Sequence, residues 1–75
     1  MSALKEQVGG QHYKCFEIQP IEFITKNRLS FLQGDIIKRT CRYNKDGGKG
    51  LQDLEKIKHE IDLIIELESW GENAL

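Results

Sequence analysis

Ser30-Phe31-Leu32-Gln33-Gly34-Asp35-Ile36-Ile37-Lys38-Arg39-Thr40-Cys41-Arg42-Tyr43 carries a helix start signal and a helical period together. Serine followed three residues later by glutamine has the spacing of a capping box, in which each side chain satisfies the other residue's backbone N–H. Leu32, Ile36, Ile37, Thr40 and Tyr43 then recur at helical spacing, so a helix is expected from about Phe31 to Tyr43. Gly34 inside it costs about 1 kcal/mol against alanine, which suggests a close approach of another helix or a ligand.

Downstream, Asn44 to Gly50 contains three glycines and reads as a loop. A second, longer helix follows from about Leu51 to Trp70. Leu51, Leu54, Ile57, Ile61, Ile64 and Ile65 mark one face, and Leu63, Leu67 and Trp70 add a second stripe. Asp53 in its first turn complements the helix dipole, and Gly71 is a fitting stop. Upstream, Pro20 suits the first turn of a short helix carrying Ile21, Phe23 and Ile24, with Asn27 ending it. Residues 12–16, His-Tyr-Lys-Cys-Phe, read as an extended arm, and Gly9-Gly10 breaks any helix begun at Ala3.

The expected fold is therefore all-α: a helical hairpin with a short leading helix and an extended N-terminal arm. Residues 1–11 form a weakly structured segment, 12–70 a single helical domain, and 71–75 a tail. At 75 residues the chain is near the lower limit for a self-sufficient core. Cys15 and Cys41 form no Cys-x-x-Cys pair, which argues against zinc. One disulfide between them is open, but no signal peptide points to an oxidising compartment, so reduced thiols in a cytoplasm are expected. The two apolar sides of the last helix need two sets of neighbours, and self-association is the expected source of one.

The net charge of −1 disfavours bulk nucleic-acid binding, and no apolar run reaches the roughly 20 residues of a membrane span. Lys38, Arg39, Arg42, Lys45 and Lys49 nevertheless crowd into one short stretch with a single acid, Asp46. Asp35, Lys38, Arg39 and Arg42 fall one turn apart, on the face opposite the apolar stripe, and such a cluster suits a small anion such as phosphate. Asp46-Gly47-Gly48-Lys49-Gly50 leads into a helix N-terminus, also favourable for anions, although it lacks the order of a Walker loop. Taken from these residues alone, a solvated basic face and an ordinary flexible turn are the plainer account.

His12 and Tyr13 could stack on a base or simply pin the arm, and His12 is the best candidate acid or base. Glu55, His59, Asp62 and Glu66 line one stripe that could hold magnesium; a charged solvent face is the plainer account. No metal site is assigned on these grounds. No nucleophile–base–acid set emerges from spacing, and Cys41 reads as core.

Gly10-Gln11-His12-Tyr13-Lys14, Pro20 to Ile24, Leu29 to Arg39, Cys41-Arg42-Tyr43 and Gly50 to Ile57 resemble a phage nucleotide-kinase-like domain family over residues 9 to 66. That family takes its name from a podovirus nucleoside monophosphate kinase without a Walker motif. The resemblance implies a phage origin, the cytoplasm of an infected host, and contact with a phosphorylated nucleotide. Combined with the residue reading, it nominates His12, Tyr13, Lys14, Lys38, Arg39, Arg42 and Lys45 as nucleotide-binding residues, with catalytic residues unassigned. The expected function is capture of a phosphorylated nucleotide at subunit interfaces, such as a signalling nucleotide of host antiviral defence. A nucleoside monophosphate kinase using Mg²⁺ is the alternative, and an inhibitor of a host protein the third.

Overall fold

The computed structural model describes residues 15–74 in backbone and 15–70 in side chain. These form three helices in the order α1 (Pro20–Lys26), α2 (Phe31–Arg42) and α3 (Leu51–Ala74), with no strand among the described residues. α1 packs on α2, and α2 packs on α3. No helix among the described residues is long and apolar enough to cross a membrane.

α1 starts at Pro20, whose missing N–H costs nothing in the first turn. Glu22 and Lys26 pair across one turn at 3.2 Å. The stop involves more than Asn27. Arg28 adopts the left-handed conformation at φ 55°. Its N–H donates to Thr25 O at 3.2 Å, while the Leu29 N–H donates to Ile24 O at 3.1 Å. This is a Schellman closure with arginine where glycine is usual. It turns the chain sharply enough for α2 to begin at Phe31.

The capping box forms as expected. Ser30 Oγ accepts from Gln33 N at 3.2 Å, and Gln33 Oε1 accepts from Ser30 N at 2.9 Å. Gly34 is buried on α2 and meets α1 there: a Cβ at this position would lie 2.9 Å from Ile24 Cγ2. Ile24, at 8% exposure, is the one large apolar side chain that is buried among the described residues.

The α2–α3 turn is closed by Lys45 N–H to Arg42 O at 2.8 Å, Gly48 N–H to Lys45 O at 2.9 Å and Gly50 N–H to Tyr43 O at 3.1 Å. Gly47 and Gly50 have positive φ of 86° and 57°. Gly48 needs its missing side chain for another reason, since a Cβ there would collide with the Arg42 carbonyl.

Three expectations are corrected. α3 runs through Gly71 to Ala74 rather than stopping at Gly71, because the helical hydrogen bonding carries on past it. The apolar stripe of α3 is not the face turned to α2: Leu51, Leu54, Ile61 and Ile65 are exposed. The most buried α3 side chains are instead the charged Asp53 and Glu60, with Ile57 and Ile64 half-buried beside them. Thr40, placed in the apolar stripe of α2, is exposed and donates its hydroxyl to Ile36 O at 2.7 Å. Both cysteines are free thiols.

Gly34→Ala gains about 1 kcal/mol of helix propensity but drives a methyl group into Ile24. We expect a net loss of about 1–2 kcal/mol, because Cγ2 branches directly from the Ile24 backbone end and has little room to yield. Urea unfolding followed by circular dichroism checks this; an unchanged or higher midpoint would show that the contact has slack.

Candidate functional site

The charged residues of the hairpin form two groups, one between the helices and one at the turn. Between α2 and α3, Asp53 is the centre. Its side chain is 0% exposed. Asp53 Oδ1 accepts from Arg42 Nη2 at 2.8 Å and from Arg39 Nη1 at 3.1 Å, and Oδ2 accepts from Arg42 Nε at 3.2 Å. The Lys49 backbone N–H adds a fourth donor to Oδ2 at 3.0 Å. A carboxylate buried this deeply would be costly alone; four donors, three of them N–H groups of two guanidinium ions, make it tolerable.

One turn away, Arg39 Nε donates to Asp35 Oδ2 and to Glu60 Oε1, both at 3.0 Å. Asp35 sits one turn before Arg39 on α2, and Glu60 comes from α3, two turns beyond Asp53. The network thus holds three carboxylates and two guanidinium groups. Asp35 and Glu60 both accept from the same Arg39 Nε–H, so the two carboxylates compete for one donor and the charge of Asp35 discourages ionisation of Glu60.

The pKa shifts follow from this geometry. The hydrogen-bonded Arg42 holds the Asp53 carboxyl far below the usual carboxylate range, in spite of its burial, with help from Lys49 N–H and Arg39. The hydrogen bond from Glu60 also lowers Asp35. Burial and the neighbouring Asp35 push Glu60 up. Glu60 is the member that holds a proton most readily.

At the turn the chemistry is more open. Lys45 Nζ lies over the Phe16 ring, 5.7 Å from its centroid, a cation–π distance. Lys45 and Lys49 are exposed, and among the described residues no carboxylate forms an ion pair with either ammonium group. Both flank the glycines that precede α3.

The nominated residues are therefore divided. Arg39 and Arg42 were expected on a solvated face; they turn inward because Asp53 and Glu60 wait on α3. Lys38 is half-buried and lines an apolar groove between α1 and α2, beside Asp35. Lys45 stands apart at the turn. His12, Tyr13 and Lys14 lie outside the described residues. Glu55, His59, Asp62 and Glu66 are all exposed, and no group of three or more possible metal-binding side chains converges among the described residues. Phe16, read only as an arm aromatic, was missed as a partner of Lys45.

Asp53→Asn removes the charge that two arginines share, and we expect a loss of about 3 kcal/mol at pH 7. Near-native stability would mean the guanidinium groups re-pair elsewhere. The titrations act in opposite directions. Asp53 and Asp35, held low, contribute stability above the ordinary aspartate range that is lost as pH falls through their lowered values. Glu60, held high, favours the fold below the ordinary glutamate range, and this contribution is lost as pH rises through its raised value. Glu60→Gln should therefore flatten the decline in stability above the ordinary glutamate range while leaving the acid-side loss in place. Denaturant midpoints measured from pH 2 to 8 test it, and parallel curves for both proteins would exclude a raised Glu60.

Comparison with curated proteins and with solved structures returns no match. Over residues 8–62, most of its length, the sequence matches DUF3310, described as a protein family of unknown function, and the chain belongs to that family.

Proposed function

We propose that this chain is a phage-encoded binding module that captures a phosphorylated nucleotide, works as a homo-oligomer and holds its ligand without transforming it. The observation that carries this reading is the pairing of Lys45 with Phe16 beside the turn. An aromatic face and an ammonium group at this separation offer a base a stacking surface and a phosphate a cation. Lys49 adds a second ammonium group four residues on, and α3, with the positive end of its dipole, begins just after it at Leu51.

His12, Tyr13 and Lys14 stand two to four residues before Phe16 in sequence and extend the same chemistry. The likeness to a phage nucleotide-kinase-like family is a second, independent support for a nucleotide. Binding is favoured over phosphoryl transfer because Arg39 and Arg42 are committed to Asp53. Stabilising a transferring phosphoryl group calls for positive charge free to follow it. A phage product acting this way in an infected cell would withdraw the nucleotide from whatever host process depends on it.

Incubating the purified protein with a panel of nucleotides, with and without Mg²⁺, tests the proposal. Calorimetry gives the affinity, and heat release followed by chromatography gives the ligand's fate. The expected result is a nucleotide bound and recovered unchanged. Lys45→Ala combined with Lys49→Ala should weaken binding at least tenfold, about 1.4 kcal/mol, with helicity unaltered. New di- or triphosphates would replace the reading with a kinase, and no binding by any nucleotide would overturn it.

A further inference from the structure

α3 carries an apolar face that the rest of the chain leaves uncovered. Leu51, Leu54, Ile61 and Ile65 are 71%, 39%, 44% and 62% exposed. With Lys58 and Glu68 they fall on the a and d positions of two and a half heptads, the seam on which helices coil around each other. This seam is a different face from the one turned to α2. Asp53, Ile57, Glu60 and Ile64 lie a little over a quarter of the circumference away, about 100° at 3.6 residues per turn. α2 can therefore stay in place while another helix occupies the seam.

We infer that the seam is a homodimer interface in which α3 packs antiparallel against α3 of a second copy. Period and charge both select that occupant. The seam needs a helix with the same heptad spacing, and an identical chain supplies one in equal amount. A parallel, in-register pair would stack Lys58 directly on the partner's Lys58. The antiparallel register removes this clash: Leu54 meets the partner's Ile65, and Lys58 meets the partner's Ile61. There the Lys58 ammonium sits beside the partner's Asp62 and its own Glu55, a cation between two carboxylates, while its aliphatic stem stays in the seam.

The apolar side chains supply more than half of the area a stable interface needs. The four apolar side chains expose on the order of 350 Å² per copy, so pairing hides roughly 700 Å² before the flanking stems are added, approaching the ~1,200 Å² of a stable interface. The need is evident in the monomer, where Ile24 is the one large apolar side chain buried among the described residues. A chain this small with so little hidden surface gains most from a partner that is always present.

This interface gives a geometry to the self-association contained in the proposed function, and it stands or falls without any nucleotide. The experiment is sedimentation equilibrium of the full chain, without nucleotide, from 1 to 100 μM. A dimer mass is expected, and Ile61→Lys, which faces the partner's Lys58, together with Ile65→Lys should raise the dissociation constant at least a hundredfold while helicity is retained, since both side chains are already exposed in the monomer. Lys58→Leu should tighten the dimer at least tenfold. Orientation is read in a Cys15→Ser, Cys41→Ser background by mixing chains carrying Leu54→Cys with chains carrying Ile65→Cys. The antiparallel pair cross-links the two different chains, whereas a parallel pair would cross-link like with like. A monomer at 100 μM, an assembly indifferent to the Ile61 and Ile65 changes, or like-with-like cross-linking would each overturn the inference.

Discussion

The buried carboxylate of Asp53 is the constraint on which the hairpin depends. It fixes the distance and rotation of α2 against α3, because two arginines one turn apart can reach it only when their face of α2 points inward. It fixes the turn as well, since the Lys49 N–H donates to the same carboxylate just before α3 begins. An apolar contact tolerates sliding and rotation; a carboxylate with four directed donors does not. The cost is that desolvated charge adds little net stability compared with well-packed hydrophobic side chains. What the network supplies is definition of one arrangement, and the energy that holds the pieces together has to come from elsewhere.

Gly34 and Arg28 solve the complementary problem at the other end. With α1 only seven residues long, it cannot be stable alone and must lie tightly on α2. Gly34 permits that approach by giving Ile24 a place to sit. The left-handed Arg28 aims the chain so that the approach happens. The α1–α2 corner is thus apolar and close-packed, whereas the α2–α3 interface is charged and directional. The two halves of the small core rest on different physics.

Local features were legible in the sequence, and relations between helices were not. The capping box of Ser30 and Gln33, the proline start of α1 and the glycine turn before α3 are written in neighbouring residues, and each formed. The Arg28 turn was hidden because arginine is not a residue that announces positive φ. The stop at Gly71 failed because glycine ends a helix only where the chain has reason to leave it. The larger misreading concerned Arg39 and Arg42. Helical periodicity assigned the charged side of α2 to solvent, which holds only if the facing helix is apolar there. Asp53 and Glu60 share a stripe with Ile57 and Ile64, and reading that stripe across both helices would have paired the acids with the arginines. Of the nominated site, Lys45 kept its accessibility. Its partner Phe16 could not be found by spacing, being 29 positions away in the chain.

A helix–helix junction assembled from ion pairs rather than hydrocarbon also sets how the fold responds to temperature. Unfolding exposes little apolar surface in the hairpin itself, so the heat-capacity change should be small and the stability curve shallow. The desolvation cost of the Asp53 cluster, meanwhile, eases on warming as the hydration of charged groups becomes less favourable. The α2–α3 junction is therefore a structure whose order fades gradually with heat, while any assembly through apolar faces would follow the steeper curve of a hydrophobic contact. The thermal limit of the subunit is then distinct from that of any such assembly.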